Sequence, residues 1–219
     1  MTLAIFDLDN TLLAGDSDHA WGDFLVAQGE VDGEAYRRAN DEFLRAYQAG
    51  TLDIRDYLAF ALRPLAETPP QRLERLRQVF IEERVRPMLL PRGQALVDSH
   101  RDAGDRLLII TATNRFVTEP IAALLGIEHL IATEPEMRDG RYTGRVAGTP
   151  SFQEGKIQRL EEWREQQGVP LQGAWFYSDS RNDLPLLERV DNPVAVDPDE
   201  HLRQVAQSRD WPILSLRQE

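Results

Sequence analysis

The sequence contains no cysteine. Disulfides, thiolate nucleophiles, iron–sulfur clusters and cysteine-based zinc sites are therefore excluded. Histidine is scarce, with four in 219 residues, and they form no HExxH or similar metal-binding spacing. Positive charge is in deficit: 25 Lys and Arg against 37 Asp and Glu give a formal net charge of −12. That balance argues against the nucleic-acid backbone or an anionic membrane as the main partner. It leaves room for an anionic small substrate if a metal ion inverts the local charge. No apolar stretch approaches the roughly 20 residues that span a bilayer. The N-terminus, MTLAIFDLDN, meets an acid at Asp7 before a signal-peptide-like run develops, so a cytoplasmic protein is expected. There is no GxxxxGK[ST] loop and no GxSxG elbow. What remains, 42% hydrophobic and 28% charged residues, suits a globular chain with a real core. It is long enough for one large domain, or one domain carrying a smaller second.

Residues 2–8 read as a buried strand, because Leu3, Ala4, Ile5 and Phe6 form an apolar run that stops at Asp7. From 16 to 86 the pattern is helical. Trp21, Phe24 and Leu25 mark one face and Gly29 a stop; Tyr36, Ala39, Phe43 and Tyr47 mark a second stripe ended by Gly50. A third runs over Ile54, Tyr57, Leu58, Ala61 and Leu62 and stops before Pro64; a fourth begins after Pro69 and Pro70. The arginines at 72, 75, 77, 84 and 86 alternate with glutamates at 74, 82 and 83, which reads as a solvated, salt-bridged helix face. From Pro91 helices and strands alternate. Strands are expected at 106–111, 128–132, 173–177 and 193–196, and helices at 94–103, 118–125, 154–167, 183–190 and 198–207. A hairpin is expected over 138–146 around Asp139-Gly140. The architecture is α/β, a doubly wound parallel sheet with an inserted helical unit. The core comprises 1–15 and 87–219, and the insertion 16–86.

Ligands of open parallel sheets bind beyond the carboxyl ends of the strands, and four polar clusters follow the apolar runs there. Asp7 and Asp9 follow LAIF; Thr111, Thr113 and Asn114 follow RLLII; Lys156 opens a helix; Asp179, Ser180, Asn182 and Asp183 follow AWFY. Packed carboxylates repel and their pKa values rise unless a cation sits among them. An oxygen-only donor set suits magnesium. Asp7 and Asp179 are the better candidates for direct ligation, the backbone carbonyl of Asp9 completes the protein share, and Asp183 fits either the metal's inner shell or its surroundings. Asp7 would attack phosphorus to form an aspartyl phosphate. Asp9 would protonate the leaving alcohol and then take a proton from water. Lys156 and the Thr111 hydroxyl would hold phosphoryl oxygens.

These motifs resemble those of the haloacid dehalogenase superfamily. FDLDNT at 6–11 is similar to its first signature, Thr111 to its second, Lys156 to its third, and SDSRND at 178–183 to its fourth, in the same order. The helical insertion resembles the cap of the phosphoserine-phosphatase-like subclass. The resemblance implies Asp7 as nucleophile, Asp9 as acid/base, magnesium as cofactor, and Asp179 and Asp183 as acidic positions of the metal site. The fourth signature departs from the common form, which has glycine where this chain has Ser178 and often glycine where it has Ser180. Residues 15–21, GDSDHAW, with 110–116, ITATNRF, resemble a bacterial group close to phosphoserine phosphatase that includes histidinol-phosphatases.

An amine-bearing substrate would need an acidic partner, which Asp16, Asp18 or Glu42 could supply. Trp21 and Phe24 could form an apolar wall, with core packing on their helical stripe the rival role. Arg115 could meet a carboxylate or phosphate, which would favour phosphoserine. Asn114 and Asn182 complete the candidate substrate contacts, with helix capping the rival role for Asn182. The expectation is a magnesium-dependent phosphatase of a small phosphorylated metabolite, first L-histidinol phosphate. Phosphoserine hydrolysis, phosphoserine-type phosphotransfer and a non-catalytic phospho-ligand sensor are the alternatives.

Overall fold

A computed structural model describes residues 2–217. The first strand, β1 (Leu3–Phe6), is buried along its whole length. The chain then enters five helices: α1 (Ser17–Ala27), α2 (Gly33–Ala49), α3 (Ile54–Ala61), α4 (Arg63–Glu67) and α5 (Pro70–Phe80). A π-helical turn at Ile81–Val85 and a 3₁₀ turn at Arg86–Met88 lead out of them. The alternating part follows as α6 (Pro91–Asp102), β2 (Arg106–Asn114), α7 (Arg115–Leu124), β3 (His129–Thr133), β4 (Pro135–Arg138), β5 (Arg141–Val146) and α8 (Glu154–Gln167). The chain continues through β6 (Trp175–Ser178), a 3₁₀ turn at Arg181–Asp183, α9 (Leu184–Leu187), β7 (Asn192–Val196), α10 (Glu200–Ser208) and β8 (Ile213–Leu214).

Six strands form one sheet in the order β3-β2-β1-β6-β7-β8, every neighbouring pair parallel. Strand alternation divides the core into two layers. Leu3, Ile5, Leu108 and Ile110 face α8, α9 and α10, whereas Ala4, Phe6 and Ile109 face α6, α7 and the inserted helices. The chain runs from β1 outward through β2 and β3, then returns to β6 on the other side of β1. The strand order therefore reverses beside β1 and β6, which opens a crevice at their carboxyl ends.

The two ends of the helical insertion meet. Leu13 pairs with Leu89 in an antiparallel bridge, and the Ala14 N–H donates to the Met88 carbonyl at 2.7 Å. Inside the insertion Trp21, Phe24 and Phe80 pack ring on ring, and Tyr36 stacks on Phe60 at 4.3 Å. Asp16 caps α1 by accepting from the Asp18 and His19 N–H groups, and Gly50 ends α2 with φ of 71°.

Several boundaries differ from the sequence expectation. The third helix stops before Pro64 as expected, but Pro64 then sits in the first turn of a short helix, α4, that was not anticipated; its missing N–H costs nothing there. Pro91 likewise starts α6 three residues before the expected Gln94. Strand β2 runs on to Asn114, whose side chain accepts from the Val117 N–H and starts α7 at Arg115 rather than Thr118. The hairpin pairs β4 with β5 and so begins at Pro135 rather than Arg138. The expected helix from Asp183 is a 3₁₀ turn followed by one short helix. The edge strand β8, two residues long, was not anticipated. No helix among the described residues is long and apolar enough to cross a membrane.

Candidate active site

Asp7 lies one residue beyond β1, at the sheet's crevice, with its N–H bonded to the Tyr177 carbonyl of β6 at 2.9 Å. Next to it, Asn10 turns the chain with φ of 57°, a conformation that asparagine tolerates better than most residues. The turn delivers Thr11, fully buried, to the start of the β6 loop. The Thr11 hydroxyl donates to Asp179 Oδ1 and accepts from the Asp179 N–H, both at 3.1 Å. The first and fourth motifs are thus stitched together by one side chain.

Lys156, on the first turn of α8, is 2% exposed and buried against both motifs. Its Nζ donates to Asp7 Oδ1 at 2.9 Å and reaches Asp183 Oδ1 at 2.7 Å. Burial alone would push its pKa down, but the charges of Asp183 and Asp7 outweigh that and hold it above the usual lysine value. Ser178 donates to Asp183 Oδ2 at 2.7 Å, a second donor to this carboxylate beside Lys156. Burial pushes Asp7 up to about 7 against the attraction of Lys156, and Asp183 and Asp9 push in the same direction. Asp179 is raised well above the usual carboxylate range by burial and then by Asp7 and Asp183.

Asp9 sits across the crevice. Its Oδ1 accepts from the Ser17 N–H of α1 at 2.6 Å and its Oδ2 from the Thr113 hydroxyl at 2.7 Å. Burial and the charge of Asp16 raise it to about 6, against these hydrogen bonds. Thr111 is 1% exposed, and its Oγ1 accepts from the Thr113 N–H at 3.2 Å.

A cavity opens from Asp7, Asp9, Thr111 and Thr113 toward the inserted helices. Asp16, Asp18, His19, Asn40, Phe43, Leu44, Tyr47, Leu52, Ile54 and Tyr57 line the rest of it. Asp18 accepts from the Tyr57 hydroxyl at 2.6 Å and from Asn114 Nδ2 at 3.2 Å. Burial raises Asp18 to about 7, with Tyr57 pulling it down and Asp16 pushing it up. Asp16 is also raised, chiefly by burial. His19 is occupied by Asp41 at 2.9 Å.

Some sequence-expected contacts lie elsewhere. Trp21 is 2% exposed and packs against Phe24, Phe80 and Phe116; its place on the apolar stripe of α1 puts it in the core, not on the cavity wall, and the same holds for Phe24. Arg115 is tied to Glu134 at 2.8 Å and to the Leu130 carbonyl at 2.9 Å, and it lines a different surface groove. Glu42 is exposed and outside the cavity lining. Asn114 acts through Asp18 and as the α7 cap. Asn182 accepts from Gln153 and donates to the Tyr47 carbonyl at 3.1 Å, which joins the β6 loop to α2. The aromatic side chains that do line the cavity, Phe43, Tyr47 and Tyr57, were visible in the sequence only as helix stripes. The roles of Ser17 and Thr11 had no signal beyond their place beside the first motif.

Among the described residues no three His, Cys, Asp or Glu side chains form a preassembled metal cage. A magnesium site does not require one, since Mg²⁺ keeps several waters and takes one or two carboxylates. The donors fit that chemistry. Asp7 and Asp179 offer hard oxygen donors in a crevice of mutually repelling carboxylates, and Asp179 has no ion-pair partner among the described residues. Asp183 is already engaged by Lys156 and Ser178.

The family model described as haloacid dehalogenase-like hydrolase matches residues 4–188. A curated relative named histidinol-phosphatase, from Neisseria meningitidis, is 47% identical over 219 residues, covering 98% of this chain and 99% of its own. A solved structure of a Bordetella pertussis protein of unknown function superposes with a TM-score of 0.93 at 45% identity, covering 99% of this chain and all of the other. A substrate-bound phosphoserine phosphatase shares the fold, with a TM-score of 0.73 at 16% identity over 100% of this chain and 94% of that one. With its first strand, inserted helices and parallel sheet matched almost from end to end, the chain belongs to the haloacid dehalogenase-like hydrolases.

Proposed function

We propose that the protein is a magnesium-dependent phosphatase of a small amine-bearing phosphate ester, with L-histidinol phosphate as its substrate. The observation that carries the substrate assignment is the cavity wall. Beyond Asp9 it presents Asp16 and Asp18 beside Phe43, Tyr47 and Tyr57, with no lysine or arginine in its lining. Such a wall favours an ammonium group and a flat ring, and offers no cation to a carboxylate. Phosphoserine carries that carboxylate; histidinol phosphate does not. Arg115, the residue that would have favoured phosphoserine, is neutralised by Glu134. The name of the Neisseria relative points the same way.

In this reading a carboxylate oxygen of Asp7 attacks phosphorus and the ester P–O bond breaks. The departing alkoxide takes its proton from Asp9, whose pKa of about 6 suits a group that must both give and take a proton. Asp9 then removes a proton from the water that attacks the aspartyl phosphate, releasing phosphate and restoring Asp7. Lys156 fixes the Asp7 carboxylate, and the Thr111 hydroxyl, its lone pair engaged by the Thr113 N–H, is free to donate to a phosphoryl oxygen. Asp7, Asp179 and the Asp9 carbonyl would hold Mg²⁺, and Asp183 would orient Lys156. When bound, the ion offsets the crowded negative charge and favours the ionised form of Asp7. Residues 16–86 serve as a cap over a core of 1–15 and 87–219, excluding bulk water from the intermediate.

The test is phosphate release from histidinol phosphate, phosphoserine, sugar phosphates and nucleotides, with magnesium and with chelator. Histidinol phosphate should turn over with kcat/KM of about 10⁴ M⁻¹s⁻¹ or more, only with magnesium, and Asp7→Asn should abolish it. Preference for phosphoserine would overturn the substrate assignment. Tight binding of these ligands without turnover would favour the sensor alternative.

A further inference from the structure

The Asp9 carboxylate is gripped from both sides, and the grip on its core side comes from the side-chain hydroxyl of Thr113. Thr113 is 5% exposed, on β2, two residues beyond Thr111. Its hydroxyl donates to Asp9 Oδ2 at 2.7 Å, while its N–H donates to Thr111 Oγ1 at 3.2 Å. The other Asp9 oxygen is bound by the Ser17 N–H at 2.6 Å, from the inserted helices. The carboxylate plane is therefore set by two donors of different origin. One belongs to the inserted helices and the other to the sheet.

We propose that Thr113 is a positioning residue for proton transfer: its hydroxyl holds Asp9 at the leaving-group oxygen, while its backbone N–H turns the Thr111 hydroxyl toward the phosphoryl group. This rests on the phosphatase reading above and adds to it a residue that separates the two halves of the chemistry. Replacing the side chain leaves the N–H and its bond to Thr111 in place, so the two functions come apart in one variant. Thr113→Val is nearly isosteric and removes only the donor to Asp9. With Asp9 held by the Ser17 N–H alone, the carboxyl is free to rotate, and the loss falls on steps in which the leaving oxygen needs a proton. An alkyl ester needs it; a nitrophenyl ester, whose leaving group is a weak base, does not.

The experiment compares kcat/KM for histidinol phosphate and for p-nitrophenyl phosphate in wild type, Thr113→Val and Thr113→Ser. This parameter reports steps up to formation of the aspartyl phosphate. General acid–base catalysis contributes about 10²- to 10⁴-fold. A misoriented rather than absent acid should therefore cost Thr113→Val about 10- to 100-fold on the alkyl ester. The aryl ester should change by less than about threefold, and Thr113→Ser, which keeps the hydroxyl, should restore most of the alkyl rate. Equal losses on both esters, no loss on the alkyl ester, or no rescue by serine would overturn the role of Thr113. If Thr113→Val does not fold, Thr113→Ala removes the same donor, together with the threonine methyl, and carries the same expectation. Wild-type protein that cleaves neither ester would instead refute the phosphatase reading, and the proposal would fall with it.

Discussion

Asp179→Asn should make the metal-free protein more stable while removing its response to magnesium. Asp179 faces the crevice with Asp7 and Asp183 as charged neighbours and the Thr11 hydroxyl as its side-chain donor. Asparagine keeps an oxygen to accept from Thr11 and removes the charge. Two unit charges about 5 Å apart repel by roughly 3 kcal/mol at an effective dielectric constant near 20. The native carboxyl escapes part of this by holding its proton, because burial and its neighbours raise its pKa well above the ordinary 3.8. A net gain of about 1–2 kcal/mol for Asp179→Asn at pH 8 is the reasonable share. In a chain of this length each kcal/mol moves Tm by about 2–4 °C, so the chelated variant should melt roughly 2–8 °C above wild type.

The pH dependence has a definite sign. A carboxyl whose folded pKa is raised binds more protons in the folded than in the unfolded state between the two values, so wild-type stability falls as pH rises through that window. The advantage of Asp179→Asn should therefore be largest at pH 8 and shrink toward pH 4. Magnesium reverses the order. An ion at 100 times its dissociation constant adds about 2.7 kcal/mol to a protein that binds it only when folded, and the variant should lack this increment. Thermal melts of both proteins at pH 5 and 8, in chelator and in magnesium, read all of these quantities. A chelated variant less stable than wild type at pH 8, or one that keeps the full magnesium shift, would refute the reasoning.

Lys156→Met should destabilise the chelated protein by about 3–5 kcal/mol, because it leaves Asp7 and Asp183 buried together without their cation; a denaturant midpoint corresponding to less than about 1 kcal/mol would show that the pair is not held as described. Asp18→Asn should raise KM for histidinol phosphate by about tenfold or more, the worth of one charged hydrogen bond, and leave KM for p-nitrophenyl phosphate nearly unchanged; equal effects on both would remove Asp18 from the ammonium subsite.

The sequence by itself determined the sheet and the positions of its polar ends. Apolar runs such as LAIF and RLLII are short and buried on both faces, so they read as parallel strands, and the acids and threonines that follow must gather where the strand order reverses. The ends of strands and helices were less legible where a side chain decided them. Asn114 capped α7 three residues early, Pro91 began α6 three residues before the expected start, and Pro64 sits in the first turn of a short helix the stripes did not mark, because proline's missing N–H is harmless in a first turn.

Only the tertiary structure decided which side chains face the substrate. Trp21 and Phe43 both sit on apolar helix stripes, and periodicity assigns both to a core; packing alone sends the first among Phe24, Phe80 and Phe116 and the second to the cavity wall. Arg115 carries the same charge in sequence wherever it points, but Glu134, 19 residues away along the chain, neutralises it. The grip of Ser17 and Thr113 on Asp9 spans 8 and 104 residues of sequence. Local pattern records what a residue is and which face of its own element it occupies. Hydrogen-bond partners and the sign of the surrounding charge are set by elements far away in the chain, and they exist only once the sheet and the inserted helices have packed.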